Sequence, residues 1–267
     1  MKINISADAR PQVRTLLIAA AITIALWFIP YADLLTYPFR IFVTFIHEGG
    51  HALAALLTGN SVVSLSVATD TSGLTQTTQG GLISQVIVSS AGYVGAMIFG
   101  ALLLVLIRRA VAARAVLIGS AAFILFLTIV FGLWKPVVNG FETGTRLAGI
   151  PFTLIAGVVI SVGLLAVAKY ASPRVATFFL SFLAVQCVLN ALMDLKTVFF
   201  LSSPFGSEVQ TDAGNMAAAT HVPAMFWAVI WIGLSFLILS TAMRFYAVSR
   251  KKSAEQQDLP FEEPLEV

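Results

Sequence analysis

Charge is scarce in this chain: aspartate, glutamate, lysine and arginine make up 11% of its 267 residues, against 58% hydrophobic. So little polar material cannot coat a water-soluble globule of this length, and a mean hydropathy of +0.91 puts the chain among proteins that span a membrane. Cysteine is almost missing. Cys187 stands alone in an apolar run, which excludes an intrachain disulfide framework and a cysteine-built metal site. Basic residues exceed acidic ones only slightly, 16 to 13, for a net charge of +3. They gather at the ends of apolar runs, a pattern that orients a membrane protein and speaks against binding to nucleic acid.

Histidine is as sparse, at three residues, yet two of them share one motif: His47-Glu48-Gly49-Gly50-His51, inside an apolar run from Ile41 to Leu57. On a helix, positions four apart share a face, so His47 and His51 can offer two imidazole nitrogens to one Zn²⁺ while Glu48 sits beside the open coordination position. Three polar groups in a hydrophobic helix are costly, and ionisable residues within a membrane are functional by default. The alternative is a histidine pair satisfied in a helix interface. Gly49 and Gly50 each cost about 1 kcal/mol in a helix relative to alanine, and they admit close approach by a neighbouring helix or by a substrate.

Along the chain, seven apolar runs read as membrane helices. The first, Thr15 to Pro30, follows Lys2, Arg10 and Arg14 and has no small-residue cleavage pattern after it, so it reads as uncleaved. Pro38 suits the first turn of the second helix, which carries the motif. After Thr58-Gly59-Asn60 the period changes to two: Val63, Leu65 and Val67 alternate with Ser64, Ser66 and Ala68, then Asp70-Thr71-Ser72-Gly73 offers turn chemistry and Leu74 to Thr77 leads out. That is a β-hairpin, whose free edge beside a metal centre can take an extended peptide by strand addition. It also reads as a plain polar connector.

The third run, Leu82 to Ile107, carries a stripe of Gly92, Ala96 and Gly100, expected to pack on the motif helix. Ala115 to Trp134, Ile150 to Ala168, Val175 to Leu201 and Val222 to Tyr246 follow. The fold expected is thus an all-α polytopic membrane protein of about seven transmembrane helices with a short β-hairpin after the H-E-x-x-H helix. It forms one membrane domain over residues 1–248, with a disordered charged tail over 249–267. Seven spans separate the termini, and the richer set of basic residues, from Arg40 and Arg108 to Lys252, puts the C-terminus in the cytoplasm.

A third ligand is needed. Asn190 and Asp194 lie four apart in the sixth run, and a carboxylate among apolar residues needs a cation, for which the metal on the two histidines is the strongest candidate. Asp194 is therefore expected to complete the site, with Asn190 orienting it, donating to a reaction oxyanion or simply bonding between helices. Asp212 and His221 complete or tune the site if the polar segment between Ser202 and His221 folds back, and Glu142, four before Arg146, is a weaker alternative.

An H-E-x-x-H on an early membrane helix, a hairpin, a small-residue third helix and an aspartate on a late helix resemble the site-two proteases, the intramembrane zinc metallopeptidases. Gly49-Gly50 and Ser90-Ala91-Gly92-Tyr93 look closest to the compact bacterial branch without a PDZ domain. Where typical members carry Asp-Gly after Asn-Pro, this chain has Asn190-Ala191-Leu192-Met193-Asp194-Leu195. The resemblance implies zinc on His47, His51 and Asp194, Glu48 as general base and a transmembrane protein as substrate within the lipid bilayer of a bacterial cell. Two other readings compete: a silent membrane scaffold of the same fold, which has no need of Glu48, and an ion or metal transporter, which would spread polar residues over several helices and repeat its halves.

Overall fold

The computed structural model describes residues 10–26, 28–109, 111–143, 149–202 and 211–247. In chain order these form α1 (Arg10–Leu26), α2 (Asp33–Leu57), β1 (Val62–Val67), β2 (Gly73–Thr77), α3 (Leu82–Arg108) and α4 (Ala113–Phe126). A π-helical stretch (Leu127–Trp134) runs on into α5 (Lys135–Thr143), and α6 (Ile150–Tyr170), α7 (Pro173–Leu201), α8 (Asp212–Thr220) and α9 (Ala224–Ala247) follow. The protein is an all-α polytopic membrane protein with one two-stranded antiparallel hairpin. The expected charged tail, 249–267, lies outside the described residues.

Among the described residues, five helical stretches are long and apolar enough to cross a membrane: Leu82–Arg108, Ala113–Asn139, Ile150–Tyr170, Pro173–Leu201 and Ala224–Phe245. The other two expected spans fall short of that measure. The apolar part of α1, Gln12–Leu26, is too short. Although α2 has the length, it contains Arg40 and the polar motif. Pro38 lies inside α2, not in its first turn, because the helix already begins at Asp33. With no N–H on Pro38, the carbonyl of Leu34 is deprived of its usual partner four residues on.

Local chemistry sets several boundaries. Ser172 caps α7 by accepting a hydrogen bond from the Val175 N–H, and Pro173 occupies its first turn. Thr211 caps α8 in the same way, accepting from the Gly214 N–H at 3.1 Å. The far end of α8 closes at His221, in the left-handed conformation at φ 58°.

In the hairpin, Leu65 pairs with Thr75 and Val67 with Gly73, but the register slips between Val62 and Ser64. That bulge at Val63 changes the phase of alternation, so Val62, Leu65 and Val67 are buried while Val63 is only half-buried. The outer edge of β1 is covered by protein. Thr153 of α6 accepts from the Val67 N–H at 2.9 Å, and Asn139 of α5 donates to the Val63 carbonyl.

The expected small-residue stripe on α3 divides between two neighbours. A side-chain carbon on Gly50 would run into the carbonyl of Ala91, so α2 and α3 touch backbone to backbone. Gly100 instead faces α7, where a Cβ would lie 3.0 Å from Val188 and 3.1 Å from Cys187. Gly49 turns the other way, onto Leu127 and Phe123. Both motif glycines therefore serve helix packing.

Candidate metal centre

The two histidines emerge from one face of α2 as their spacing requires, with Nε2 atoms 3.1 Å apart. His51 Nδ1 lies 2.7 Å from the Val88 carbonyl of α3, which can only accept. Nδ1 therefore carries a proton, and Nε2 is the nitrogen left to face a ligand, the outer-shell arrangement common to metal-binding imidazoles. His47 is held by an edge-on contact with Tyr93, ring centroids 4.6 Å apart, and Tyr93 in turn packs on Trp231. Trp231 is anchored by donating from Nε1 to Ser90 Oγ at 3.0 Å.

A carboxylate closes the group from α8. Asp212 Oδ2 stands 3.2 Å from His47 Nε2 and 3.3 Å from His51 Nε2. Among the described residues, these three can hold one metal ion. Donors bound about 2.0–2.1 Å from a tetrahedral zinc lie roughly 3.3–3.4 Å from each other, close to the separations present here. Gly92 is the cradle over the pair: a Cβ there would collide with the Nε2 atoms of both His47 and His51. Burial pushes the Asp212 carboxyl up, but the charges of His51 and His47 and their hydrogen bonds outweigh it, leaving it well below the usual carboxylate range. An anionic ligand is what a divalent ion needs.

Glu48 is buried beside this triangle, 4% exposed, and its Oε2 is a buried acceptor with no hydrogen-bond partner. Such an orphan is expensive in a structural site and appropriate to a base that handles a water proton. The hairpin lies across it: Thr75 Oγ1 donates to the Glu48 carbonyl at 3.1 Å, and Thr44 Oγ1 donates to the Thr71 carbonyl at 2.7 Å. Thr44, His47, Glu48, His51, Thr75 and Asp212 line one cavity of about 1140 Å³, walled by α2, β2, α3, α7 and α8.

The pairing of apolar membrane helices with an H-E-x-x-H triangle narrows the possibilities, and a family comparison decides. The model of the Peptidase M50B-like family matches residues 17–242. The chain belongs to this family. No curated protein and no solved structure matches it. As a Peptidase M50B-like protein it is a multi-pass membrane protein of a metallopeptidase family, and its His-His-Asp group agrees with that membership.

The other residues expected at the site lie as follows. Asp194 lines the same cavity from α7 but stands outside the triangle of donor atoms, so the carboxylate brought to the imidazoles is that of Asp212. Asn190 turns away: its Nδ2 donates to the Gln186 carbonyl at 2.8 Å and to Gln186 Oε1, and Gln186 Nε2 donates to Thr23 of α1. It thus belongs to a buried polar link between α7 and α1. His221 ends α8 away from Asp212, and the side chain of Glu142, with Arg146, lies outside the described residues. On sequence alone Asp212 stands behind Asp194 as a ligand, because it sits in a polar stretch. The available signal was Thr211-Asp212 ahead of Ala213 and Met216, a capped short helix with apolar residues three apart.

Proposed function

We propose that this chain is an intramembrane zinc metalloendopeptidase that hydrolyses a peptide bond in or near a transmembrane segment of another membrane protein. The observation that carries it is the orphaned Glu48 Oε2 beside three converging metal donors in one cavity. His47, His51 and Asp212 would hold the ion, and the donor set of two imidazoles and a carboxylate suits zinc. When bound, zinc supplies Lewis acidity, polarising the scissile carbonyl and bringing the pKa of water toward about 7. Glu48 takes the proton from the attacking water and delivers it to the leaving amine. Asp194, facing the same cavity, remains within reach of substrate and not among the ligands.

A transmembrane helix satisfies its own backbone hydrogen bonds, so it must be unwound before a peptide bond is exposed. The edge of β2 offers a partner for the unwound segment. Antiparallel pairing alternates, and because the Val67 N–H points away from β2 toward Thr153, the main-chain groups of its partner Gly73 and of Thr75 point away from β1. Both residues line the cavity, so a segment added there would lie along Glu48. On a count of seven spans the distribution of basic residues favours a cytoplasmic C-terminus, and the resemblance to the compact bacterial branch favours a bacterial cell membrane.

The test is zinc analysis of detergent-purified protein, followed by reconstitution in liposomes with a panel of single-span proteins and mass spectrometry of the products. About one zinc per chain in wild type and in Glu48→Gln, with cleavage only by wild type, is the expected result. Zinc held by a wild type that cleaves nothing favours the scaffold, and absence of zinc removes the peptidase reading.

A further inference from the structure

Gly73 occupies the last place of the turn Asp70-Thr71-Ser72-Gly73, where sequence alone reads it as a turn glycine. Its conformation contradicts that reading. Thr71, not Gly73, takes the left-handed conformation in this turn, at φ 72°, and the one described glycine with positive φ is Gly59. Any residue can adopt the backbone of Gly73. What forbids a side chain is space: a Cβ there would collide with Glu48 Oε1 and lie 2.6 Å from its Cγ and 2.8 Å from its Cδ. The whole outer half of the glutamate rests on the α-carbon of the strand edge, so turning only the carboxylate tip does not clear the clash.

Neither partner can retreat freely. Glu48 is buried, and the hairpin is tied to α2 around this contact by Thr75 Oγ1 to the Glu48 carbonyl, Thr44 Oγ1 to the Thr71 carbonyl, and Arg40 to Thr71 Oγ1 at 2.9 Å. We propose that Gly73 is a positioning residue for the base: the bare edge of β2 is the wall against which Glu48 is set toward the metal ligands. This inference rests on the peptidase reading for its consequence and on geometry alone for its contact. It also joins two tasks in one residue, since the main chain of Gly73 that aims Glu48 belongs to the edge proposed to receive substrate.

The experiment is a mutant cycle on the full chain in detergent, read by melting temperature, zinc content and cleavage of whichever panel proteins the wild type cuts. Gly73→Ala is expected to keep its zinc, melt several degrees lower and cleave about a hundredfold more slowly through kcat, with KM little changed. Glu48→Ala removes the obstructing atoms, so adding Gly73→Ala to it should carry no further melting penalty; in isosteric Glu48→Gln the penalty should persist. Equal melting temperatures of wild type and G73A, an undiminished penalty in the Glu48→Ala background, or a kcat of G73A equal to that of wild type would each overturn the proposal. A wild type that cleaves nothing overturns the peptidase reading instead, and the melting cycle still decides the contact.

Discussion

Asp212 and Asp194 are the same chemical group in the same cavity, and their geometry separates them. Asp212 Oδ2 lies within 3.3 Å of both imidazole Nε2 atoms, whereas Asp194 stands outside the triangle. Asp212→Ala should therefore lose stoichiometric zinc and Asp194→Ala should retain it, as elemental analysis after exhaustive dialysis will show. Retention by Asp212→Ala would return the ligand role to Asp194. Gly92→Ala is expected to behave like a ligand variant although glycine donates nothing, because its methyl would collide with both Nε2 atoms. Glu48→Gln keeps every ligand and should lower cleavage by about 10²–10⁴-fold, the ordinary contribution of a positioned acid–base group.

At the level of elements, the metal triangle depends on a nine-residue helix that cannot be stable by itself. What holds α8 is its apolar side: Ala213 and Met216 are fully buried in a cluster with Tyr93, Leu195, Val198 and Trp231. Met216→Ala should cost about 2–5 kcal/mol of packing, so the variant is expected to weaken zinc binding without touching a ligand. Competition against a chelator of known affinity measures it; unchanged affinity would mean that α8 is held some other way. The hairpin has a similar anchor. Replacing Thr153 by valine leaves the buried Val67 N–H without its acceptor, a loss of about 1–3 kcal/mol, and should speed hydrogen exchange in β1 more than in α3.

For the whole molecule, the decisive solvent is lipid. α6 turns Ile155, Val159 and Val162 outward, with Val159 63% exposed, and a face so apolar belongs against acyl chains. Val159→Lys should cost roughly 2.5–3.5 kcal/mol in insertion and sharply reduce the membrane-integrated fraction, as alkaline extraction reads out. Full integration of that variant would mean this face of α6 is covered by protein.

Much of this could be read before any coordinates. The hydrophobic runs dictated the helices, since a chain in hydrocarbon must satisfy its backbone internally; alternation from Val63 to Val67 marked the hairpin; and the i, i+4 spacing of His47 and His51 forced both imidazoles to one face whatever surrounds them. These are properties of neighbours along the chain. Tertiary structure alone decided the rest. Asp212 joins His47 across 165 positions, because two buried side chains fold α8 back onto α3. The bulge at Val63 and the early start of α2 before Pro38 likewise emerge only in the folded structure. Most of all, a glycine records only that space is short. Whether Gly50 meets a backbone, Gly92 two imidazoles or Gly73 a carboxylate depends on what the fold brings opposite, which no local pattern encodes.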